Sequence, residues 1–282
     1  MDVLSLQSGS SGNCILVRAA GTCVVIDAGI SATKAANRMA AVGFDPQEID
    51  ALLITHDHSD HVSSLGPIHR RWDLPVHITE KTLRTVRRKR RPGQLEKLEF
   101  FRAGQTFTVG DFDIESIPTP HDASDGVCFV LQDRTNGLRV GILTDLGHVF
   151  PQLREVLPTL DAVLIESNYD DAMLREGPYP YSIRMRIEGR GGHLSNWDAA
   201  RLIESSAGPN LQWVCLGHLS DQNNCPEVAR KTFDRVTRGR FKTHLAKRDG
   251  HGQWMSVWPA EATKPRGPCN AAKVGKRTPM LF

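Results

Sequence analysis

The sequence of 282 residues lacks the features that would place it in a membrane, a secretion pathway or a disulfide scaffold. No stretch approaches the ~18 apolar residues of a membrane span, and residues 1–7 carry no basic or long apolar segment typical of a signal peptide. The six cysteines form no CxxC pair, and most lie in apolar runs, which indicates reduced core thiols. We therefore expect a cytoplasmic protein that does not bind a membrane.

No linker or internal repeat divides the chain, so we expect one domain over residues 1–258. From 259 to 282 the sequence is rich in Pro, Lys, Ala and Gly without periodicity, which predicts a flexible tail. Apolar runs and helical patterns alternate upstream and predict an α/β fold. The predicted strands cover 2–6, 14–18, 23–27, 50–55, 75–79, 98–101, 106–117, 126–132, 138–144, 161–166, 212–217 and 252–258. The predicted helices cover 31–42, 60–71, 81–90, 151–157, 195–206 and 226–238.

Residues 55–61 read Thr-His-Asp-His-Ser-Asp-His, directly after an apolar run that predicts a buried strand. Alternate residues of an extended chain point the same way, so His56 and His58 can face one metal ion. Asp60 and His61 then begin a helical turn and aim at a second point nearby. Imidazole and carboxylate ligands suit zinc, and also manganese and iron. The alternative is a surface loop that is rich in His and Asp by chance.

Three further candidate ligands follow strand-like apolar runs later in the chain. His121 follows the run 112–117, Asp145 follows 140–144, and His218 follows 213–217. A side chain at the end of a strand is held rigidly by the sheet while it stays accessible to solvent. The repetition of this arrangement favours a single site over isolated surface or core histidines.

The HxHxDH pattern and the later His, Asp and His resemble metallo-β-lactamase-fold hydrolases, which bind two metal ions. Within that superfamily the chain is most similar to the YycJ (WalJ) type. The segments that carry the closer resemblance are 8–14, 26–29, 120–123, 144–147, 165–170, 192–196 and 217–220. Asp57 stands where such proteins often have Glu, but its spacing does not make it a ligand. The resemblance implies an αβ/βα four-layer sandwich, with two mixed β-sheets packed between helices. The missing signal peptide argues against a periplasmic antibiotic-degrading enzyme.

The resemblance also implies a distribution of ligands over two divalent ions, with zinc expected first and Mn²⁺ or Fe²⁺ as alternatives. One ion would be held by His56, His58 and His121, and the other by Asp60, His61 and His218, with Asp145 bridging them. A water shared by two cations loses its proton near neutral pH and can act as the nucleophile. Asp27, at the end of a strand, either orients a ligand histidine or forms a turn.

Charge is concentrated in two segments, although the net charge is only +3. Residues 81–102 hold nine Lys and Arg against two Glu, and residues 230–248 hold eight against one Asp. Such segments favour a nucleic-acid track, or they are solvated helix faces. Few aromatic residues interleave them, so we expect contact with the phosphate backbone more than base stacking.

The segment 192–196 resembles the His-Ser-Thr motif of tRNA 3′-processing nucleases, in which a histidine that binds no metal assists phosphodiester cleavage. We therefore expect His193 to be a general acid that Glu166 orients, with His218 as the last ligand. The reverse assignment of His193 and His218 is the alternative. The residues expected in catalysis are His193, Asp60 and Glu166. The residues expected to bind phosphate are Ser10, Asn13, Arg184, Arg190, Ser195 and Ser220.

These features favour a dinuclear metal phosphodiesterase that acts on nucleic acid, and the resemblance implies a 5′-to-3′ DNA exonuclease. A small-molecule hydrolase is the alternative: a cyclic phosphodiesterase, a thioesterase or a lactonase. A regulatory protein that keeps only the fold, or a redox di-iron protein, is disfavoured by the complete ligand set and by the lack of a flavin domain. The sequence leaves the oligomeric state and the choice between DNA and RNA open.

Overall fold

Two seven-stranded sheets form the centre of the structure, a computed structural model that describes residues 1–259. The strands are β1 (Asp2–Gln7), β2 (Cys14–Ala19), β3 (Thr22–Ile26), β4 (Ala51–Leu53), β5 (Val76–Ile78), β6 (Leu98–Phe100), β7 (Thr106–Val109), β8 (Phe112–Pro118), β9 (Val127–Asp133), β10 (Arg139–Leu143), β11 (Ala162–Glu166), β12 (Trp213–Gly217), β13 (Lys242–Leu245) and β14 (Met255–Ser256). The helices are α1 (Ala32–Ala40), α2 (Ser59–Val62), α3 (Leu65–Trp72), α4 (Glu80–Arg90), α5 (Pro151–Val156), α6 (Asp171–Glu176), α7 (Tyr181–Glu188), α8 (Asn196–Ser206) and α9 (Pro226–Thr237).

Each sheet has an antiparallel half and a parallel half. The first sheet has the order β14-β1-β2-β3-β4-β5-β6, with parallel pairing from β3 to β6. The second has the order β13-β12-β11-β10-β9-β8-β7, with parallel pairing from β13 to β10. The carboxyl ends of neighbouring parallel strands lie at one edge of a sheet, which is where α/β proteins place their ligands.

Alternation of side chains along the strands builds four layers. In β4, Ala51 and Leu53 enter the core between the sheets, whereas Leu52 packs on the outer face with α1 and α3. In β12, Trp213 and Cys215 enter the same central core, and Val214 packs outward with α5, α8 and α9. Because both faces of these strands are buried, they appear in the sequence as continuous apolar runs. The predicted αβ/βα four-layer sandwich is confirmed.

Several predicted elements differ in detail from the structure. The single strand expected over 106–117 is a hairpin, β7 and β8, because Gly110 turns the chain with a φ of 52°. The helix expected over 60–71 is interrupted between α2 and α3, where the Ser64 N–H donates to Ala28 O at 2.8 Å. The short elements α6, α7 and β13 escaped prediction. In α7 no residue is buried, so its sequence carries no amphipathic pattern.

The predicted tail over 259–282 lies outside the described residues, except for Pro259. Four cysteines, at positions 14, 23, 128 and 215, are buried free thiols, as expected. Burial raises the pKa of Cys215 to about 12, so its thiol stays protonated. Among residues 1–259, no helix is long and apolar enough to cross a membrane.

Gly29 lies where the loop after β3 touches the turn that carries Asp60 and His61. The Ala28 N–H donates to His61 O at 2.7 Å, and the Asn13 N–H donates to Asp60 O at 2.7 Å. A Cβ atom at Gly29 would lie 1.7 Å from Asp60 O and 2.5 Å from Asn13 N, so backbone would have to move. The close approach therefore requires glycine and fixes the position of α2.

We predict that Gly29→Ala lowers the free energy of unfolding by ~1–3 kcal/mol, the usual cost of overpacking, because the added methyl group meets rigid backbone. Thermal unfolding measured by circular dichroism tests this, and the midpoint should fall by several degrees. Gly21→Ala is the control, since the nearest atom to its Cβ lies 3.8 Å away. Equal midpoints for the two variants would contradict the proposed contact.

Candidate metal centre

The candidate ligands meet at the carboxyl ends of strands from both sheets. The heptad 55–61 follows β4 of the first sheet, whereas His121, Asp145 and His218 follow β8, β10 and β12 of the second. The predicted strand-then-ligand arrangement thus converges on one point. Four overlapping groups of side chains there have ligand atoms within 4.8 Å of one another.

The first group consists of His56, His58 and His121. The Nδ1 of His58 lies 3.2 Å from the Nε2 of His121. The His56 ring stands edge-on to both of the other rings, with centroids 4.7 and 5.4 Å away. Three imidazole nitrogens in this arrangement match one face of a tetrahedral metal site.

The second group consists of Asp60, His61 and His218. Asp60 Oδ2 lies 3.4 Å from the Nε2 atoms of both histidines. Asp145 lies between the two groups, with Oδ2 at 3.2 Å from His61 Nε2 and Oδ1 at 3.6 Å from His121 Nε2. Oδ1 also lies 3.6 Å from His218 Nε2. Asp145 thus contacts histidines of both groups, which is the position that a bridging carboxylate requires.

Two buried atoms at this point have no hydrogen-bond partner within the described residues. They are Nε2 of His56 and Oδ2 of Asp145. Leaving such atoms unpaired costs roughly 1–3 kcal/mol each, so native proteins rarely tolerate them without a ligand, ion or water. Both atoms are electron-pair donors aimed into the cluster, and the donor set is imidazole plus carboxylate. The residues therefore fit divalent metal ions.

A layer of hydrogen bonds behind the ligands fixes their orientation. The Thr55 hydroxyl donates to Asp27 and accepts from His56 Nδ1 at 2.9 Å, which leaves His56 Nε2 with its lone pair. His61 Nδ1 donates to Asp27 Oδ2 at 2.6 Å, and His121 Nδ1 donates to Gly192 O at 2.8 Å. Asp27 thus contacts a candidate ligand histidine, as one of the two predictions for it required.

Electrostatics keep the carboxylates of the cluster ionised. Burial raises the pKa of Asp145, but the neighbouring His218 and His61 outweigh burial and hold that pKa well below its usual range. For His218, burial lowers the pKa, but Asp145, Asp60 and Glu166 raise it to about 10. His56 has a pKa well below its usual value because of burial and the nearby His61. The cluster therefore offers anionic oxygens and a neutral imidazole to a cation.

His193 belongs to a further group of possible ligands, with Asp145, Glu166 and His218, and is held by Glu166. The Nδ1 of His193 donates to Glu166 Oε1 at 2.5 Å, and the same oxygen lies 3.3 Å from His218 Nδ1. Burial raises the pKa of Glu166, but His193 outweighs burial and lowers that pKa to about 2. The His193 side chain is 20% exposed against 2% for His218, so His193 is the one open to solvent.

A buried amide network under His218 escaped prediction. Asn168 Nδ2 donates to His218 O at 2.9 Å, and Asn224 Nδ2 donates to Asn168 O at 3.0 Å. Asn196 Nδ2 donates to Asn224 Oδ1 at 2.9 Å. The only signal in the sequence is that these asparagines follow or precede strand ends beside candidate site residues. The network makes the ligand loops of the second sheet one rigid unit.

Three strand-end residues at the site have left-handed backbone conformations. Asp27 follows β3 with a φ of 65°, Asp145 follows β10 with 55°, and His218 follows β12 with 53°. Residues other than glycine adopt this region at a cost of about 1–2 kcal/mol. The conformation turns each side chain sharply out of its strand and toward the cluster.

An open cleft of about 320 Å³ lies over the cluster. Of the residues predicted to bind phosphate, only Ser10 lines it. The side chains of the others are used within the protein: Asn13 Nδ2 donates to Gly9 O, Ser195 and Ser220 accept backbone N–H groups, Arg184 donates to Arg175 O, and Arg190 contacts His148. Their buried or internally bonded atoms support the loops that carry the cluster.

Two other arginines line the cleft instead. Arg90 comes from the end of α4 and Arg186 from α7. Arg186 Nε donates to Asp122 Oδ2 at 2.6 Å, whereas Arg90 has no hydrogen bond or ion pair with any other residue of 1–259. Of the two basic segments, 81–102 thus reaches the cleft through α4. No residue of 230–248 is among the residues that line the cleft.

Asp57, the first acidic residue of the heptad, is not part of any group of possible ligands in residues 1–259. It is buried, accepts from Lys89 Nζ at 2.9 Å and accepts from the Ser124 N–H at 2.8 Å. These contacts tie α4 to the loop that carries His121.

A sequence model of the metallo-β-lactamase superfamily matches residues 8–190. The chain belongs to this superfamily. It is 35% identical to exodeoxyribonuclease WalJ of Streptococcus pneumoniae over 232 residues, 81% of this chain and 85% of WalJ. It is 34% identical to exodeoxyribonuclease YycJ of Bacillus anthracis over 233 residues, 82% of this chain and 87% of that one.

Solved structures show the same fold. The metallo-β-lactamase fold protein YhfI from Bacillus subtilis superposes with a TM-score of 0.68, covering 89% of this chain and 98% of its own, at 16% identity. At that identity only the fold is shared. Superfamily membership and the His/Asp clusters identify the protein as a metal-dependent hydrolase.

We predict that Asp145→Asn lowers metal occupancy in both groups, because Asp145 faces both of them. Elemental analysis of the protein reconstituted with zinc should give about two ions per chain for the wild type, and fewer for the variant. Asp113→Asn is the control, since Asp113 is partly exposed on β8 and lies outside the cluster. One ion or none in the wild type would contradict a dinuclear centre.

Proposed function

We propose that this protein is a dinuclear metal-dependent nuclease that degrades DNA from the 5′ end. The support comes from identity above 30% with two proteins named exodeoxyribonucleases over four-fifths of the chain. The observation that carries the reaction class is His193, held by Glu166 at the edge of the ligand cluster. A protonated imidazole in that position suits the departure of an alkoxide from a phosphodiester.

In this proposal His56, His58 and His121 hold one divalent ion, Asp60, His61 and His218 hold the other, and Asp145 serves both. Zinc is the expected metal, because its ligands in proteins are imidazole and carboxylate. When bound, two such ions supply a nucleophile from water near neutral pH and stabilise the charge that develops on a phosphoryl oxygen.

The protein's own groups then have three tasks. Asp27, Thr55 and Gly192 hold the ligand imidazoles in one tautomer. Glu166 accepts a hydrogen bond from the Nδ1–H of His193. Nε2 of His193 is therefore the ring nitrogen that would donate a proton to the leaving oxygen. The half-buried Asp60 and the buried Asp145, both ionised, supply the negative charge that the cations require.

The residues that line the cleft support a phosphodiester substrate. Arg90 and Arg186 flank the ligand cluster, and a guanidinium group binds a phosphate oxygen pair in a bidentate manner. The reacting groups of thioesters and lactones are uncharged and would not use these two guanidinium groups. The phosphates of a nucleic acid carry charge that both guanidinium groups can bind. The basic last turn of α4 extends the same positive charge beyond the cleft. A cytoplasmic location belongs to the same proposal.

The direct test is hydrolysis of end-labelled DNA and RNA, single- and double-stranded, beside bis(p-nitrophenyl) phosphate and a thioester. We expect stepwise shortening of DNA from the 5′ end by the zinc-loaded protein, and its loss after chelation. Cell fractionation tests the location. Turnover of the small diester without any cleavage of DNA or RNA would replace the nuclease with a small-molecule phosphodiesterase.

A second test separates His193 from His218. We predict that His193→Ala keeps both metal ions and loses about 10²–10⁴-fold in kcat on DNA, the usual worth of a positioned proton donor. The loss should shrink on bis(p-nitrophenyl) phosphate, whose leaving group departs without protonation. His218→Ala should lose metal and fail on every substrate.

The paired measurement is metal content by elemental analysis and the ratio of rates on the two substrates. Glu166→Gln serves as the positioning variant, and its effect should show the same dependence on the leaving group. If His193→Ala loses a metal while His218→Ala keeps both, the two assignments are reversed.

A further inference from the structure

A second groove, of about 470 Å³, lies between α4 and the chain that follows β6. Lys81 and Arg84 line it from α4, and Phe100 and Arg102 line it from the opposite side. Phe100 is 53% exposed and presents an aromatic face within this groove. The sequence separates these residues by up to 21 positions, so only the fold brings them together.

The outward direction of Phe100 follows from the packing of its neighbour in the chain. β6 is the edge strand of the first sheet, and the next residue, Phe101, is buried in the central core. Phe101 stacks on Phe107 with ring centroids 4.8 Å apart. Because successive side chains of an extended chain point to opposite sides, burying Phe101 directs Phe100 outward. An outward aromatic face is available to a ligand.

The charges around Phe100 favour an anionic ligand. Lys81 pairs with Asp125 at 3.2 Å, so that carboxylate is neutralised within the groove. The guanidinium groups of Arg84 and Arg102 have no hydrogen bond or ion pair with any other residue of 1–259, and one further carboxylate, Glu80, lines the groove. Two unpaired arginines beside an exposed aromatic ring are the combination with which proteins bind single-stranded nucleic acid.

The helix α4 connects this groove to the metal cleft. Arg84 lines the groove and Arg90 lines the cleft, six residues further along the same helix. At a rise of about 1.5 Å per residue these positions are separated by about 9 Å along the helix axis. Six residues also turn the helix by about 600°, so the two side chains leave it on different faces and the path from the groove to the cleft is longer than the axial distance. The Lys89–Asp57 ion pair holds the helix in register with the cluster.

We propose that this groove binds an unpaired stretch of the nucleic acid substrate, a few nucleotides from the bond that is cut. One base stacks on Phe100, while Arg84 and Arg102 contact the backbone phosphates on either side. The inference rests on the proposed nuclease function and adds a second contact site to it. It assigns to the protein a preference for substrates with a single-stranded segment.

The test compares kcat/KM of the zinc-loaded wild type, Phe100→Leu and Phe100→Trp on a single-stranded 12-nucleotide DNA and on bis(p-nitrophenyl) phosphate. Leucine keeps the apolar volume but removes the stacking face. We expect Phe100→Leu to lose about tenfold on DNA, within the usual range for one stacked base, and nothing on the small diester. Phe100→Trp should retain the wild-type rate on DNA.

An abasic scan locates the base. In this scan each of the first five nucleotides of the DNA is replaced, one at a time, by an abasic nucleotide. At one position the replacement should lower kcat/KM of the wild type by about tenfold and leave kcat/KM of Phe100→Leu unchanged. Arg84→Ala and Arg102→Ala should each reduce the slope of log kcat/KM against log salt by about 0.7, the single-strand value for one phosphate contact. Arg154→Ala, on α5 of the other sheet, is the matched control.

The possible failures are distinguishable. If the wild type cleaves DNA but Phe100→Leu is equally active and no abasic position is specific to the wild type, this inference is wrong and the nuclease stands. If the wild type cleaves only the small diester, both the nuclease function and the inferred binding groove are wrong. The groove could instead bind a second copy of the chain, which sedimentation of the wild type and Phe100→Leu tests. If the wild type is a dimer, the variant is a monomer and DNA cleavage is unchanged, the groove is an interface between two copies and the inference is wrong.

Discussion

The convergence of imidazole and carboxylate groups from two sheets on one buried point is the interaction on which the architecture depends. The first sheet contributes the heptad after β4, and the second contributes single residues after β8, β10 and β12. Asp145 faces histidines of both origins. Without a cation, the buried lone pairs of His56 and Asp145 have no partner in the described residues. At this edge the two sheets meet through buried polar groups, which need a polar or cationic partner because apolar packing cannot satisfy their lone pairs.

Rigidity at this point comes from residues that are not ligands. Asp27 and Glu166, each at the end of a strand, orient a histidine, and the asparagines around position 224 tie three loops together. Gly29 lets the backbone of the first sheet approach Asp60 closely enough to share hydrogen bonds. A ligand set placed this accurately loses little entropy on binding its ions, which is what a catalytic centre requires.

Much of this was predictable from the sequence, and the limits have physical causes. The ligand positions could be predicted because strand periodicity and His/Asp chemistry both act locally, over two to seven residues. The four-layer fold followed from the family resemblance and from strands buried on both faces. Arg90 and Arg186 stand out in the sequence as members of basic clusters, but their position in the cleft and the Asn168–Asn224 network could not be predicted, because both depend on which distant segments the topology brings together. The helix α7 was missed because it buries nothing and so has no periodic pattern.

The left-handed backbone at Asp27, Asp145 and His218 has a consequence for how such a protein changes over evolutionary time. Glycine would occupy these three positions without backbone strain. Asp145→Gly or His218→Gly would therefore relieve the strain at the strand end but remove a ligand of the metal centre. Stability and activity are therefore opposed at these residues. A lineage that no longer needed the reaction would be expected to drift toward glycine here first, and the side chains at these three positions report whether a homologous sequence is still under selection as an enzyme.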